Sequence, residues 1–318
     1  MLLRMVHRTV DEEPRDGTTR YLWWGLGAAA LAAVGYGFYR LGQPAALPGK
    51  TYLLEGLAAV PFPQQSGPGA AVIVPPGFVP SSAMRVCVYI RGFSSCISSI
   101  VADADEPCSP GGMVHRSSYL AQQLTASGAK TLVILPELIR EAQSGDPGQL
   151  ARAGSYDAMV NEVLARMAPV LGNRSVADIA HLGVMSHSGG YQAAAAIVRQ
   201  RPPALRTVAL LDSLYGNQSD FAAWVSDNAR GFTPGGGFRI ADIFTDGGGT
   251  AAKSRALANA VGQSLSSVGL AGFLLDEDAG RTLSLQEYEA HPALFKRSGL
   301  SHIDVSRHYP QWLWAAGW

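Results

Sequence analysis

Cysteine is scarce in this chain and neither sign of charge prevails. Its 318 residues hold 3 cysteines, and 25 Lys and Arg balance 25 Asp and Glu to a formal net charge of zero. A balanced surface lacks the cationic excess that nucleic acid requires, so no nucleic-acid partner is expected. No C-x-x-C or H-E-x-x-H spacing occurs, which removes the usual sequence signs of a metal site. No internal repeat stands out, so a solenoid or propeller is not indicated. Charged residues make up only 16% of the chain and hydrophobic ones 47%, the proportions of a globular protein with a large core.

One long run is free of charge altogether. Residues Tyr21 to Tyr39 carry no ionisable Asp, Glu, Lys or Arg, and Arg20 and Arg40 bracket them. At about 1.5 Å per residue such a helix just crosses a hydrocarbon core of about 30 Å. Tyr21, Trp23 and Trp24 at one end, and Tyr36 and Tyr39 at the other, match interfacial aromatic belts. A cleaved signal peptide is the rival reading, but the polar lead of residues 1–20 is long for one. The expected organisation is a polar tail (1–20), a single transmembrane anchor (21–40), a linker (41–50) and one domain (51–318). Arg4, Arg8, Arg15 and Arg20 precede the span while only Arg40 and Lys50 follow closely, which favours an extracytoplasmic domain. Cys96 and Cys108 share one polar loop where a disulfide would suit an oxidising compartment; Cys87 lies in an apolar run and reads as a packed thiol.

Within the domain, short apolar runs alternate with amphipathic ones. Strands are expected near 51–54, 71–74, 85–92, 130–136, 181–187, 206–212, 239–246 and 269–275, and helices over 117–126, 156–171, 192–199 and 251–266. Near-continuous apolar strands separated by helices predict an α/β fold with a mainly parallel sheet covered on both faces. Ligands bind such sheets beyond the carboxyl ends of the strands. Gly92, Ser188, Asp212 and Asp246 all fall at such ends.

The run Ser186-His187-Ser188-Gly189-Gly190 joins a strand to an Ala-rich helix. A serine flanked by small residues at that junction can sit in a sharp, strained turn that holds its hydroxyl out. Ser186 stands where glycine is usual. A serine hydroxyl needs a base, and the base an orienting acid. His302, in a small-residue loop before a C-terminal helix, is the favoured base over His291 and His308. His187 adjoins the serine and should point away from it, either packing in the core or supporting the site from behind. The acid is divided between Asp212, preferred because it leaves the strand beside the turn, and Asp246; Asp276 and Asp278 read as solvated. Oxyanion donors are expected from the backbone of Gly189 and of the Gly92-Phe93 turn.

These residues resemble the α/β-hydrolase superfamily, over roughly residues 51–318. Arg91-Gly92-Phe93 is similar to the His-Gly-Phe run of many lipases and esterases, with arginine in the place of histidine. The segment Val208-Ala-Leu-Leu-Asp212-Ser-Leu-Tyr215 resembles, more narrowly, thioesterase domains whose acid follows the sixth strand. The resemblance implies a membrane-anchored serine hydrolase that cleaves an ester, thioester or amide through an acyl-enzyme on Ser188, without metal or organic cofactor. A lipid-like acyl substrate is suggested by the aromatic stretch 213–237, read as a possible lid. Alternatives are an acyltransferase on the same fold, or a non-catalytic tethered domain binding a lipid or envelope ligand.

Overall fold

The computed structural model describes residues 46–234, 237–247 and 249–318. The expected anchor at 21–40 lies outside the described residues. Among those described, no helix is long and apolar enough to cross a membrane.

Strands β1 (Lys50–Glu55), β2 (Pro68–Val74) and β3 (Met84–Gly92) come first, followed by a small hairpin of β4 (Glu106–Pro107) and β5 (Val114–His115). Then come β6 (Leu132–Pro136), β7 (Ile179–Ser188), β8 (Leu205–Leu211), β9 (Arg239–Phe244), β10 (Phe273–Asp276) and β11 (Ala293–Arg297). Apart from the hairpin they form one nine-stranded sheet in the order β1-β2-β6-β3-β7-β8-β9-β11-β10. β2 runs antiparallel to both its neighbours, and every pairing from β6 to β10 is parallel.

Side chains along the central strands alternate between two apolar clusters with the two-residue period of a pleat. Val86, Val88 and Ile90 of β3, with Val184 of β7 and Val208 and Leu210 of β8, join one apolar cluster. Cys87 and Tyr89, with Met185, Ala209 and Leu211, join a second cluster. Helices α1 (Leu120–Ser127), α2 (Ser155–Arg166), α3 (Tyr191–Gln200), α4 (Gln218–Asn228), α5 (Ala251–Ser266) and α6 (His302–Ala315) cover both faces. α1 and α6 seal the second cluster; α2, α3, α4 and α5 seal the first. Both faces are therefore dry, which is why the strands read as unbroken apolar runs.

Three elements differ from expectation for identifiable reasons. The helix expected over 156–171 breaks at Met167 into α2 and a short turn at Ala168–Leu171. Pro169 lacks the N–H that a continuous helix would need and would crowd the preceding turn. β11 was not expected, because Lys296 and Arg297 interrupt its apolar pattern. Lys296 is nonetheless buried, its ammonium donating to the Arg297 carbonyl at 2.6 Å and lying 3.5 Å from Asp276. Asp276 itself, expected to be solvated, is buried between Lys296 and Arg281. The stretch 213–237, read as a lid, supplies the crossover helix α4: Phe221, Trp224 and Phe232 are buried in the core, and Phe232 and Trp224 pack edge to face. Cys96 and Cys108 form a disulfide, and Cys87 is buried and unbridged.

Candidate active site

Backbone strain collects where the parallel strands end. Of eight non-glycine residues with positive φ among the described residues, four sit at the carboxyl ends of three adjacent strands: Phe93 (59°), Ser94 (54°), Ser188 (56°) and Asp212 (44°). Each such residue costs roughly 1–3 kcal/mol and persists only where its surroundings hold it. At Ser188 the restraint is visible. The Ser213 hydroxyl donates to the Ser188 carbonyl at 2.7 Å, and Ser186 therefore donates to Ser213 at 2.9 Å. Ser186 and Ser213 are both buried. The serine in place of the usual glycine thus braces the turn from beneath.

Glycine is needed on two sides of the turn. A Cβ on Gly92 would lie 2.5 Å from the Gly189 carbonyl carbon, and one on Gly190 would lie 2.5 Å from the Ile90 oxygen. Their absence lets the turn nest against the end of β3. Four successive alanines of α3, Ala193 to Ala196, are all buried and bring that helix close behind.

β8 and α6 place the acid and the histidine together. Ser301 caps α6, accepting from the Asp304 N–H at 3.3 Å, so His302 opens the helix. His302 Nδ1 lies 2.7 Å from Asp212 Oδ2. Asp212 is fully buried, and its remaining acceptor positions take the Thr245 N–H (3.1 Å), the Thr245 hydroxyl (2.7 Å) and the Thr250 hydroxyl. Burial pushes this carboxyl up, but the hydrogen bonds from His302, Thr250 and Thr245 outweigh it and hold the group below its ordinary value. An ionised Asp212 accepts from Nδ1–H, which leaves His302 Nε2 as a bare acceptor. Ser188 and His302 line one cleft of about 560 Å³ with Phe93, Gln143, Tyr191 and Tyr215.

Of the two roles expected for His187, its contacts favour support of the site. Its Nε2 donates to the His302 carbonyl at 2.9 Å, and the two rings lie 4.7 Å apart. Burial, with Arg91 and His302 nearby, holds its pKa well below the ordinary value, so the ring is neutral. His291 lies before β11, at the opposite end of that strand from the site, and His308 is exposed on α6.

No family model matches the chain, and no curated protein does. Among solved structures, a feruloyl esterase module from Clostridium thermocellum complexed with sinapinate superposes with a TM-score of 0.51. It shares 12% identity, over 86% of this chain and 95% of that one. A structure of FAE gives the same score at 13% identity, over 86% of this chain and 89% of its own. The chain has the α/β-hydrolase fold. In α/β-hydrolase chain order the serine precedes the acid and the acid precedes the histidine, the order of Ser188, Asp212 and His302. Asp246, the other candidate acid, is exposed two residues past β9 and accepts from Arg297 Nε at 3.0 Å and from Arg297 Nη2, an ion pair that holds its carboxyl low. The geometry brings Asp212 to the histidine and leaves Asp246 outside.

The second backbone donor expected of an α/β-hydrolase is engaged elsewhere. The Phe93 N–H donates to the Ser144 carbonyl at 2.9 Å, and the Ser94 N–H to the Ala142 carbonyl at 2.7 Å. Segment 140–145 pairs with residues 93–95 just past β3 and also presses on the turn after Ser188, where a Cβ on Gly145 would lie 2.2 Å from the Gly189 oxygen. Sequence reading missed this segment because its residues, Gln143-Ser-Gly-Asp146, carry no apolar period. It also missed Thr245 and Thr250, whose role depends on a contact across the sheet. Glu137 is a further omission. It is buried, accepts from the Ser95 hydroxyl (3.1 Å) and the Ile97 N–H (2.8 Å), and so ties down the loop that follows Phe93.

Proposed function

We propose that this chain is a serine ester hydrolase in which Ser188 is the nucleophile, His302 the base and Asp212 the acid that orients it. The observation that carries the reading is the 2.7 Å contact of His302 Nδ1 with a buried Asp212, in a cleft that Ser188 also lines. Ionised Asp212 selects the tautomer that leaves Nε2 free to take the serine proton and stabilises the imidazolium that results. The serine oxygen then attacks the ester carbonyl, His302 returns the proton to the departing alcohol, and water resolves the acyl-enzyme by the same route. The Gly189 N–H is the proposed donor to the oxyanion. Phe93 joins it only when the Ser144 carbonyl moves away, an adjustment in keeping with apo sites that tighten around substrate.

Phe93, Tyr191 and Tyr215 give the cleft an aromatic lining, with Gln143 and Gln192 as polar contacts, which suits an acyl group with an aromatic or apolar body. The likeness in fold to a feruloyl esterase module is in keeping with that substrate class. Tethering through residues 21–40, with the catalytic domain outside the cytoplasm, is supported by the uncharged run and by a disulfide suited to an oxidising compartment.

A fluorophosphonate probe should label the wild-type chain and not Ser188→Ala, and turnover of p-nitrophenyl butyrate should vanish in step. Equal labelling of both proteins would sink the assignment.

A further inference from the structure

A second cleft, of about 590 Å³, shares Phe93, Ser188 and His302 with the first. Its character is different. Arg91, Arg116 and His115 line it, and no Asp or Glu does. Arg91 stands where the lipase-like run carries histidine.

The basic side chains around this cleft fall into two groups. Arg307 is paired with Asp105 at 2.7 Å, and His115 with Glu141 at 2.9 Å. Arg91 and Arg116 have no carboxylate within ion-pair distance among the described residues. Arg91 is partly buried, and its Nη1 donates to the Arg116 carbonyl at 3.1 Å, which fixes the direction of the guanidinium. Glu137 is a nearby carboxyl, but its oxygens serve Ser95 and Ile97. A partly desolvated arginine without a counter-ion is costly, and an anionic ligand offsets that cost. The planar fork of arginine matches a carboxylate in two parallel hydrogen bonds.

We propose that the cleft lined by Arg91 and Arg116 is a subsite for a carboxylate carried by the ester substrate. The inference rests on the hydrolase reading above, since the shared Ser188 and His302 are what join the two clefts. It narrows the substrate to an ester with an apolar or aromatic body in one cleft and an anionic group in the other.

The test compares esters that differ in one charge, on the full chain. Mono(p-nitrophenyl) succinate against p-nitrophenyl butyrate places the carboxylate on the acyl side. p-Carboxyphenyl butyrate against phenyl butyrate places it on the alcohol side. For the pair that fits, Arg116→Ala lowers the charged-to-neutral ratio of kcat/KM about tenfold, the scale of one charge-assisted contact. Arg91→Gln lowers it further, and its melting temperature checks that it folds. A ratio unmoved in both pairs by Arg116→Ala overturns the subsite while fluorophosphonate labelling of Ser188 still stands. Absence of that labelling in the wild type overturns the hydrolase reading and the subsite together.

Discussion

Neighbouring strands β8 and β9 each run into an aspartate at the same edge of the sheet, and the two carboxylates have opposite fates. Asp212 turns inward at a positive φ of 44°, is fully buried, and is surrounded by four donors including His302. Asp246, two residues past β9 in an exposed turn, pairs with Arg297 in water. Position at a strand end is therefore not enough to bring a carboxylate to a histidine. What distinguishes Asp212 is a set of donors, from the β9 end and the start of α5, that keeps it ionised out of water.

The sharpest way to break this comparison is to neutralise each acid in turn. Asp212→Asn should lower kcat for p-nitrophenyl butyrate by on the order of a thousandfold or more, through loss of the correct histidine tautomer. A comparable loss in Asp246→Asn would reverse the assignment.

A third carboxylate on the same pair of strands gives a smaller and pH-dependent contrast. Asp242 of β9 is buried, with neither oxygen in ordinary hydrogen-bond geometry among the described residues. Burial pushes it from 3.8 up to about 7, against a weaker pull from the Ser254 hydroxyl and with some help from Asp212. The folded chain therefore binds this proton more tightly than the unfolded one, and stability falls as pH rises from about 4 to about 7. Glu137, raised from 4.5 to about 7 chiefly by burial, acts in the same direction. Asp242→Asn should flatten this decline, so that its melting temperature relative to wild type rises between pH 5 and pH 8. An unchanged difference across that range would show that Asp242 ionises freely in the folded state.

The smallest effect is expected where the ion pair is exposed. Asp246→Asn should leave kcat within experimental scatter, since surface pairs of this kind contribute little. Steady-state kinetics beside Asp212→Asn complete the comparison.

Much of the scaffold was legible because its signals are local. Apolar runs marked β3, β6, β7 and β8, and the span of α5 follows its sequence period from Ala251 to Ser266. Small residues around Ser188 announced a strained turn, and the φ of 56° there meets that description. Illegible features were those in which one element answers another. Lys296 hid β11 because its burial depends on the Asp278 carbonyl and the Asp276 carboxylate, both from another segment. The aromatics of 213–237 spoke for a lid until the sheet claimed Phe221, Trp224 and Phe232 for its core.

The chain alone determined the periodicity of its elements and the small residues that a sharp bend before α3 demands, because both follow from sterics within a few residues. It also offered Asp212 and Asp246 as acids, with Asp212 preferred, and His302 as the favoured base over His291 and His308, on chain position alone. Only the tertiary structure decided which acid meets which imidazole, that Thr245 and Thr250 hold that acid, and that Ser186 and Ser213 brace the turn at Ser188. Those choices rest on hydrogen bonds between residues 25 to 90 positions apart, and no local pattern encodes a contact that exists only once the sheet has closed.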